Sequence, residues 1–311
     1  MNPVQALAPW TYSMPESEQM ATASTAQAIA AWSRATQIAL DPERTVVGRG
    51  VRDLLSATFS FALDRGEELW LPEDVYPVYW ELGKQADASM RAFATLPQPD
   101  LSFLPQTGEG AAIVFPVPVS PLGRLPTDFE ANALLCWLSG SRRRLLILDA
   151  VYTFDFNASR PLMESFLAKN GHQCILLWSC SKSWLAPGSL GLAAVPRSLA
   201  PTLQRSVSPP SEAEFGRIKA VLDDRPDLCQ LQQAAFDREW QRLAPRIRCA
   251  VSDWQPPSVG YFSVVSASFT TLLDEHDILS VPATVFGSPH DDLSIVTCLH
   301  DLAAHEKGFC A

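Results

Sequence analysis

Cys174-Ile175-Leu176-Leu177-Trp178-Ser179-Cys180-Ser181-Lys182-Ser183-Trp184 joins an unbroken apolar run to a hydroxyl-rich loop that carries one lysine, and Pro187-Gly188 follows at once. A short continuous apolar run reads as a strand of a parallel sheet covered on both faces. Ligands of open α/β sheets bind beyond the carboxyl ends of such strands, which is where Lys182 falls. An amine confined there loses hydration, and its pKa drops toward the range useful for covalent chemistry with a carbonyl.

Working outward, apolar or β-branched runs at 45–47, 68–71, 112–115, 145–148 and 191–195 alternate with helix-like stretches. That alternation predicts an α/β large domain with a mainly parallel sheet between helical layers. Residues 1–44, rich in Ala, Ser, Thr and Gln with a helix expected over 25–40, form an N-terminal arm, and residues 45–200 form the large domain. The proline-rich stretch 206–210 breaks the pattern. Residues 201–311 then read as a smaller α+β C-terminal domain, with one or two long helices over 212–244, strands at 260–265 and 278–281, and a strand leading into a closing helix over 293–304.

Of the 311 residues, 47% are hydrophobic and 19% charged, enough apolar surface for a sizeable core. A formal charge of −10 makes nucleic acids and anionic membranes poor partners. Arg142-Arg143-Arg144 reads as a solvated entrance to the strand that follows it. The seven cysteines form no C-x-x-C pair, which suggests reduced thiols and a cytoplasmic location. No basic region precedes the first apolar residues and no apolar run is long enough for a bilayer, so export and membrane insertion are not expected. The five histidines have no metal-ligand spacing.

Two further elements could share a site with Lys182. Asp149 closes the strand-like run Leu145-Leu146-Ile147-Leu148-Asp149, with Tyr152 three residues on. Gly48-Arg49-Gly50 is a glycine turn between a strand and a helix beginning near Val51, where bared amides suit a phosphate. Each also has a plain structural reading, as a helix cap with a packed tyrosine and as an ordinary strand-to-helix turn. Asp53 occupies the position that would complete a G-x-G-x-x-G fingerprint. Ser179-x-x-Lys182 matches the S-x-x-K of serine β-lactamases and penicillin-binding proteins, but a K-T-G element is absent.

Taken in order, the Gly48 turn, Tyr76-Pro77, Pro121-x-Gly123, Asp149-x-x-Tyr152 and Ser179-x-Ser181-Lys182 resemble the large domain of fold-type I pyridoxal-phosphate enzymes, nearest the class I and II aminotransferases. Pro257-x-x-Gly260-Tyr261-Phe262 and Pro282-x-x-x-Phe286-Gly287 extend the resemblance toward the C-terminus. It implies pyridoxal 5'-phosphate as cofactor and Lys182 as the Schiff-base lysine that also shuttles a proton. Asp149 would pair with the pyridinium nitrogen, Tyr152 with the phenolic oxygen, and Tyr76 would stack on the ring. Ser179 with the amides of Arg49 and Gly50 would hold the phosphate. It also implies a homodimer and a small amino substrate.

Three positions depart from the family pattern. Ser120 replaces the asparagine of Asn-Pro-Thr-Gly, and Leu190 stands where an arginine usually meets the phosphate, a loss that Arg49 is expected to offset. His290-Asp291-Asp292-Leu293-Ser294 lacks the arginine that forks onto a substrate α-carboxylate. A carboxylate facing Asp292 would be repelled. The substrate is therefore expected to be atypical or carboxyl-masked, as an ester, amide or carrier-bound thioester, in specialised biosynthesis, unless Arg160 or the N-terminal arm supplies the cation. A lyase, decarboxylase or cyclase on the same scaffold is the alternative, and a catalytically dead binding subunit a further one.

Overall fold

The strand β6 (Cys174–Ser179) lies near the middle of a seven-stranded sheet, and its side chains explain why both faces are covered. Successive side chains of a strand point to opposite faces. Leu176 and Trp178 join one core, with Leu146 and Leu148 of β5 (Leu145–Asp149), while Ile175 and Leu177 join the other with Leu145 and Ile147. The computed structural model describes residues 22–75, 77–185 and 190–299.

The remaining strands are β1 (Thr45–Gly48), β2 (Glu68–Pro72), β3 (Met90–Phe93), β4 (Ala111–Pro116) and β7 (Gly191–Ala194), in the order β1-β7-β6-β5-β4-β2-β3. From β6 through β3 every pairing is parallel, whereas β7 runs antiparallel to both β6 and β1. The sheet is thus mainly parallel, as expected, with an antiparallel margin. β3 was not expected. Only Phe93 of its four residues is buried, and so short a run with Arg91 inside it does not stand out from its surroundings as a strand.

Helices α1 (Thr25–Thr36) and α2 (Val51–Asp64) enter in different ways. Ser24 and Gln27 form a capping box ahead of α1, which stops at Gln37 in the left-handed region (φ 58°), short of residue 40. Trp32 of α1 is fully buried between Phe156 and Trp178, and Ala23 N–H donates to the carbonyl of Glu212 at 3.1 Å. The described part of the N-terminal arm, residues 22–44, is therefore packed onto the body of the fold. Helix α2 has no side-chain cap. It begins at Gly50 and buries Leu54, Leu55, Phe59 and Ala62 against the sheet.

Of the one or two long helices expected after 212 there are two, Glu212–Asp224 and Leu228–Ala250. Pro226 separates them, because it pushes Arg225 out of helical geometry (φ −131°, ψ 57°). A second, antiparallel sheet has the order β8-β10-β9, from β8 (Phe262–Val265), β9 (Ser280–Pro282) and β10 (Ser294–Thr297). Val265 and Val296 of this sheet pack with Phe236, Trp240 and Ile247 of the long helix. The helix expected to close the chain lies outside the described residues.

Candidate active site

At the end of β6 the Ser179 hydroxyl accepts the Ser181 N–H at 3.2 Å and lies 2.7 Å from the Ser181 hydroxyl, which starts the single helical turn Cys180–Ser183. Three other segments fix that turn. The Cys180 N–H donates to the carbonyl of Leu190 (2.9 Å), and the Ser183 hydroxyl donates to that of Thr153 (2.9 Å). The Ser183 carbonyl accepts both the Cys229 thiol (3.0 Å) and the Gln232 amide (3.2 Å) of the long helix. Lys182 stands half-buried on this turn, and burial holds its ammonium pKa below the usual lysine value. Neighbouring Cys180 is fully buried, its thiol pushed up to about 12, so it is no nucleophile.

Asp149 ends the adjacent strand β5. Its carboxylate accepts the Tyr79 hydroxyl at 2.6 Å and the Val151 N–H at 3.2 Å. Burial raises the Asp149 pKa while both hydrogen bonds oppose the rise. Tyr79 is buried, and desolvation together with the Asp149 charge holds its phenol well above the ordinary range, so it remains a donor. Tyr152 meets the rings of Tyr261 (6.0 Å) and Phe262 (5.8 Å) edge to face. Tyr261 is itself raised by burial and by its interaction with Tyr152.

The glycine turn closes the third side. Gly50 has φ 92°, a conformation that L side chains rarely adopt, and a Cβ at Gly191 would lie 2.5 Å from the Gly50 backbone. Both glycines let the start of α2 approach the lysine turn. Gly48 stays in the ladder opposite Gly191 and does not line the cleft. Arg49 is exposed, 3.6 Å from Glu214, with its N–H donating to Asp53 at 3.1 Å.

These elements enclose a cleft of about 560 Å3 that brings together Lys182, Asp149, Tyr152, Ser179, Arg49 and Gly50. Ser120 lies apart from it, lining an adjoining pocket. Tyr76 is outside the described residues. Tyr79, Arg52, Ser181, Tyr261 and Phe262 also line the cleft and were not singled out. Tyr79 had one usable signal, its place one helical turn after Tyr76 at the start of a helix. Arg160 is not at the cleft, because it reaches Gln37 at 2.6 Å instead. Asp292 does not line it either: its side chain is 75% exposed and 4.0 Å from His290, so the expected repulsion of a carboxylate by Asp292 does not arise. Among the described residues there is no cluster fit for a metal ion and no helix long and apolar enough to cross a membrane.

The aminotransferase class I and II family matches residues 18–303. No curated protein matches the chain. Among solved structures, a Staphylococcus aureus aminotransferase superposes with a TM-score of 0.71 at 17% identity, over 98% of this chain and 87% of that one. A double mutant of Thermus thermophilus aspartate aminotransferase gives 0.71 at 18%, over 99% and 85%. The pyridoxal-phosphate-bound C–S lyase of Staphylococcus hominis gives 0.72 at 13%, over 99% and 85%. The chain belongs to the class I and II aminotransferase family, whose cofactor is pyridoxal 5'-phosphate. The residues of the cleft fit that group. Lys182 offers a desolvated amine, Asp149 a carboxylate whose bonded partners are both uncharged, and Gly50 an uncapped helix start beside two serine hydroxyls.

Proposed function

We propose that this class I and II family member is an aminotransferase-like pyridoxal-phosphate enzyme that works through Lys182, on an amino substrate that presents no free carboxylate. The observation that carries this reading is the convergence of Lys182 with Asp149 and Tyr152 on one cleft, from the turn after β6 and from the end of β5. When bound, pyridoxal phosphate supplies an aldehyde and an electron-withdrawing ring. The lowered pKa of Lys182 leaves more of its amine unprotonated, ready to hold the aldehyde and afterwards to take and return a proton at the substrate Cα. Asp149 keeps a proton on the ring nitrogen, with Tyr79 orienting the carboxylate. Tyr152 donates to the phenolic oxygen. Ser179, Ser181 and the start of α2 hold the phosphate, and Arg49 supplies the charge that Leu190 does not.

The substrate class follows from the basic side chains. Among the described residues the basic side chains that line the cleft are Arg49, Arg52 and Lys182, all on the side of the glycine turn and lysine, with none from the second sheet. The likeness to a C–S lyase as well as to aminotransferases supports a lyase as the second reading. Among the described residues no two cysteines form a disulfide, which fits a reducing cytoplasm, and the family's habit fits a homodimer, which sedimentation-velocity or light-scattering mass measurement would test.

The test is spectroscopic. Protein loaded with pyridoxal phosphate is expected to show a near-ultraviolet to violet band that borohydride abolishes, and Lys182→Ala to lack it. Esters, thioesters or plain amines are expected to perturb the band more readily than free amino acids. A wild-type protein without the band refutes the enzyme reading.

A further inference from the structure

A smaller pocket of about 70 Å3 adjoins the cleft and shares Tyr152 and Phe262 with it. Its other walls are Val75, Pro121, Phe286 and Ile295, three of them buried and Phe286 half-buried. Among the described residues no basic side chain lines it. Of its three residues with polar side-chain atoms, Ser120 and the shared Tyr152 each bring one hydroxyl, and Asp74 is fully buried. The Asp74 carboxylate accepts the N–H groups of Thr95 (2.9 Å) and Leu96 (2.7 Å) and the Thr95 hydroxyl. These three donors already occupy its oxygens.

An anion entering this pocket would be stripped of water, would find no cation, and would meet the field of Asp74. An uncharged aliphatic group would exchange water for apolar walls, and the pocket has room for a short one. Resting on the cofactor reading above, we infer that this pocket is a substrate subsite that takes a short, uncharged aliphatic substituent of the reacting amine. Specificity then comes from chain length on the side of the second sheet, where the family pattern has a carboxylate-binding arginine.

The experiment is a titration of the cofactor-loaded protein with straight-chain alkylamines from methylamine to hexylamine, following the cofactor band. Each added methylene is expected to tighten binding about fourfold until the pocket is full, after which the gain stops. Ile295→Trp is expected to fill the pocket and flatten the series while the borohydride-sensitive band persists. Phe286→Ala, at a half-buried position that the fold tolerates more easily, is expected to move the break to a longer chain. A flat series in the wild type, an unchanged series in both variants, or tighter binding of an ω-amino carboxylate than of the alkylamine of equal length overturns the inference. A wild-type protein that shows no band at all refutes the cofactor reading instead, so the two failures are distinct.

Discussion

Tyr79→Phe removes a single oxygen, and its consequence can be worked from where that oxygen points. The hydroxyl lies 2.6 Å from the Asp149 carboxylate, and a hydrogen bond to a charged group contributes about 1.5–3 kcal/mol. The bond favours the ionised carboxylate over the protonated acid. Its loss therefore raises the Asp149 pKa further above a value that burial has already raised. Only the Val151 N–H, at 3.2 Å, is left to oppose that rise. A carboxyl whose folded pKa lies above its unfolded value of 3.8 favours folding fully below that value and loses this contribution as pH rises through the folded pKa. The variant should therefore lose about 1.5–3 kcal/mol near pH 7 and progressively less as the pH approaches about 4. Urea denaturation of wild type and variant, freed of cofactor, over that range measures the difference, and carboxyl NMR of labelled aspartate reads the titration directly. A loss independent of pH, or an unmoved Asp149 titration, would refute the charge-assisted role and leave Tyr79 as packing alone.

Three other outcomes follow from single sites. Glu67, its side chain fully buried beside Arg65 at 2.8 Å, has a pKa raised by burial from 4.5 to about 7. Its contribution to stability is present below about pH 4.5 and lost through about pH 7, so Glu67→Gln should remove a pH-dependent loss of about 3 kcal/mol seen in wild-type denaturation curves at alkaline pH. Gly123→Ala places a Cβ at φ +68°, 2.4 Å from both the Phe262 carbonyl and the Pro257 ring. A loss of at least about 2 kcal/mol in urea denaturation is expected, from left-handed strain plus overlap. Arg49→Ala should weaken pyridoxal phosphate binding by about two- to fivefold, the range for an exposed charge, and by less in high salt, measured by fluorescence titration; unchanged affinity removes Arg49 from the phosphate site.

The parts of the site that lie at strand ends were legible in the sequence. Asp149 closes one apolar run and Lys182 follows shortly after another, each run reads as a covered strand, and the chemistry of a carboxylate or an amine at that place is visible without a fold. The edge strand Met90–Phe93 was not legible, because exposed residues separate its one buried side chain from any pattern. Tyr79 was not legible as a partner of Asp149, since a hydrogen bond across that sequence separation depends on how β2 and β5 are spaced in the sheet. The missing carboxylate arginine was plain in the sequence, but the position of Asp292 was not. Only the folded second sheet shows that its side chain turns to solvent and that the neighbouring surface is apolar.

The lysine turn is tied to the rest of the chain through Ser183, whose hydroxyl reaches the Thr153 carbonyl and whose own carbonyl collects Cys229 and Gln232. Residues 149–153, 179–184 and 229–232 are therefore one module in space although they are scattered along the chain. A chimera that exchanges the long helix with that of a relative, and leaves the lysine segment behind, would keep its two sheets and lose the alignment of its amine. Crossover points for recombining this protein belong outside that triplet of segments, and libraries that respect it will sample new substrates on an intact cofactor cradle.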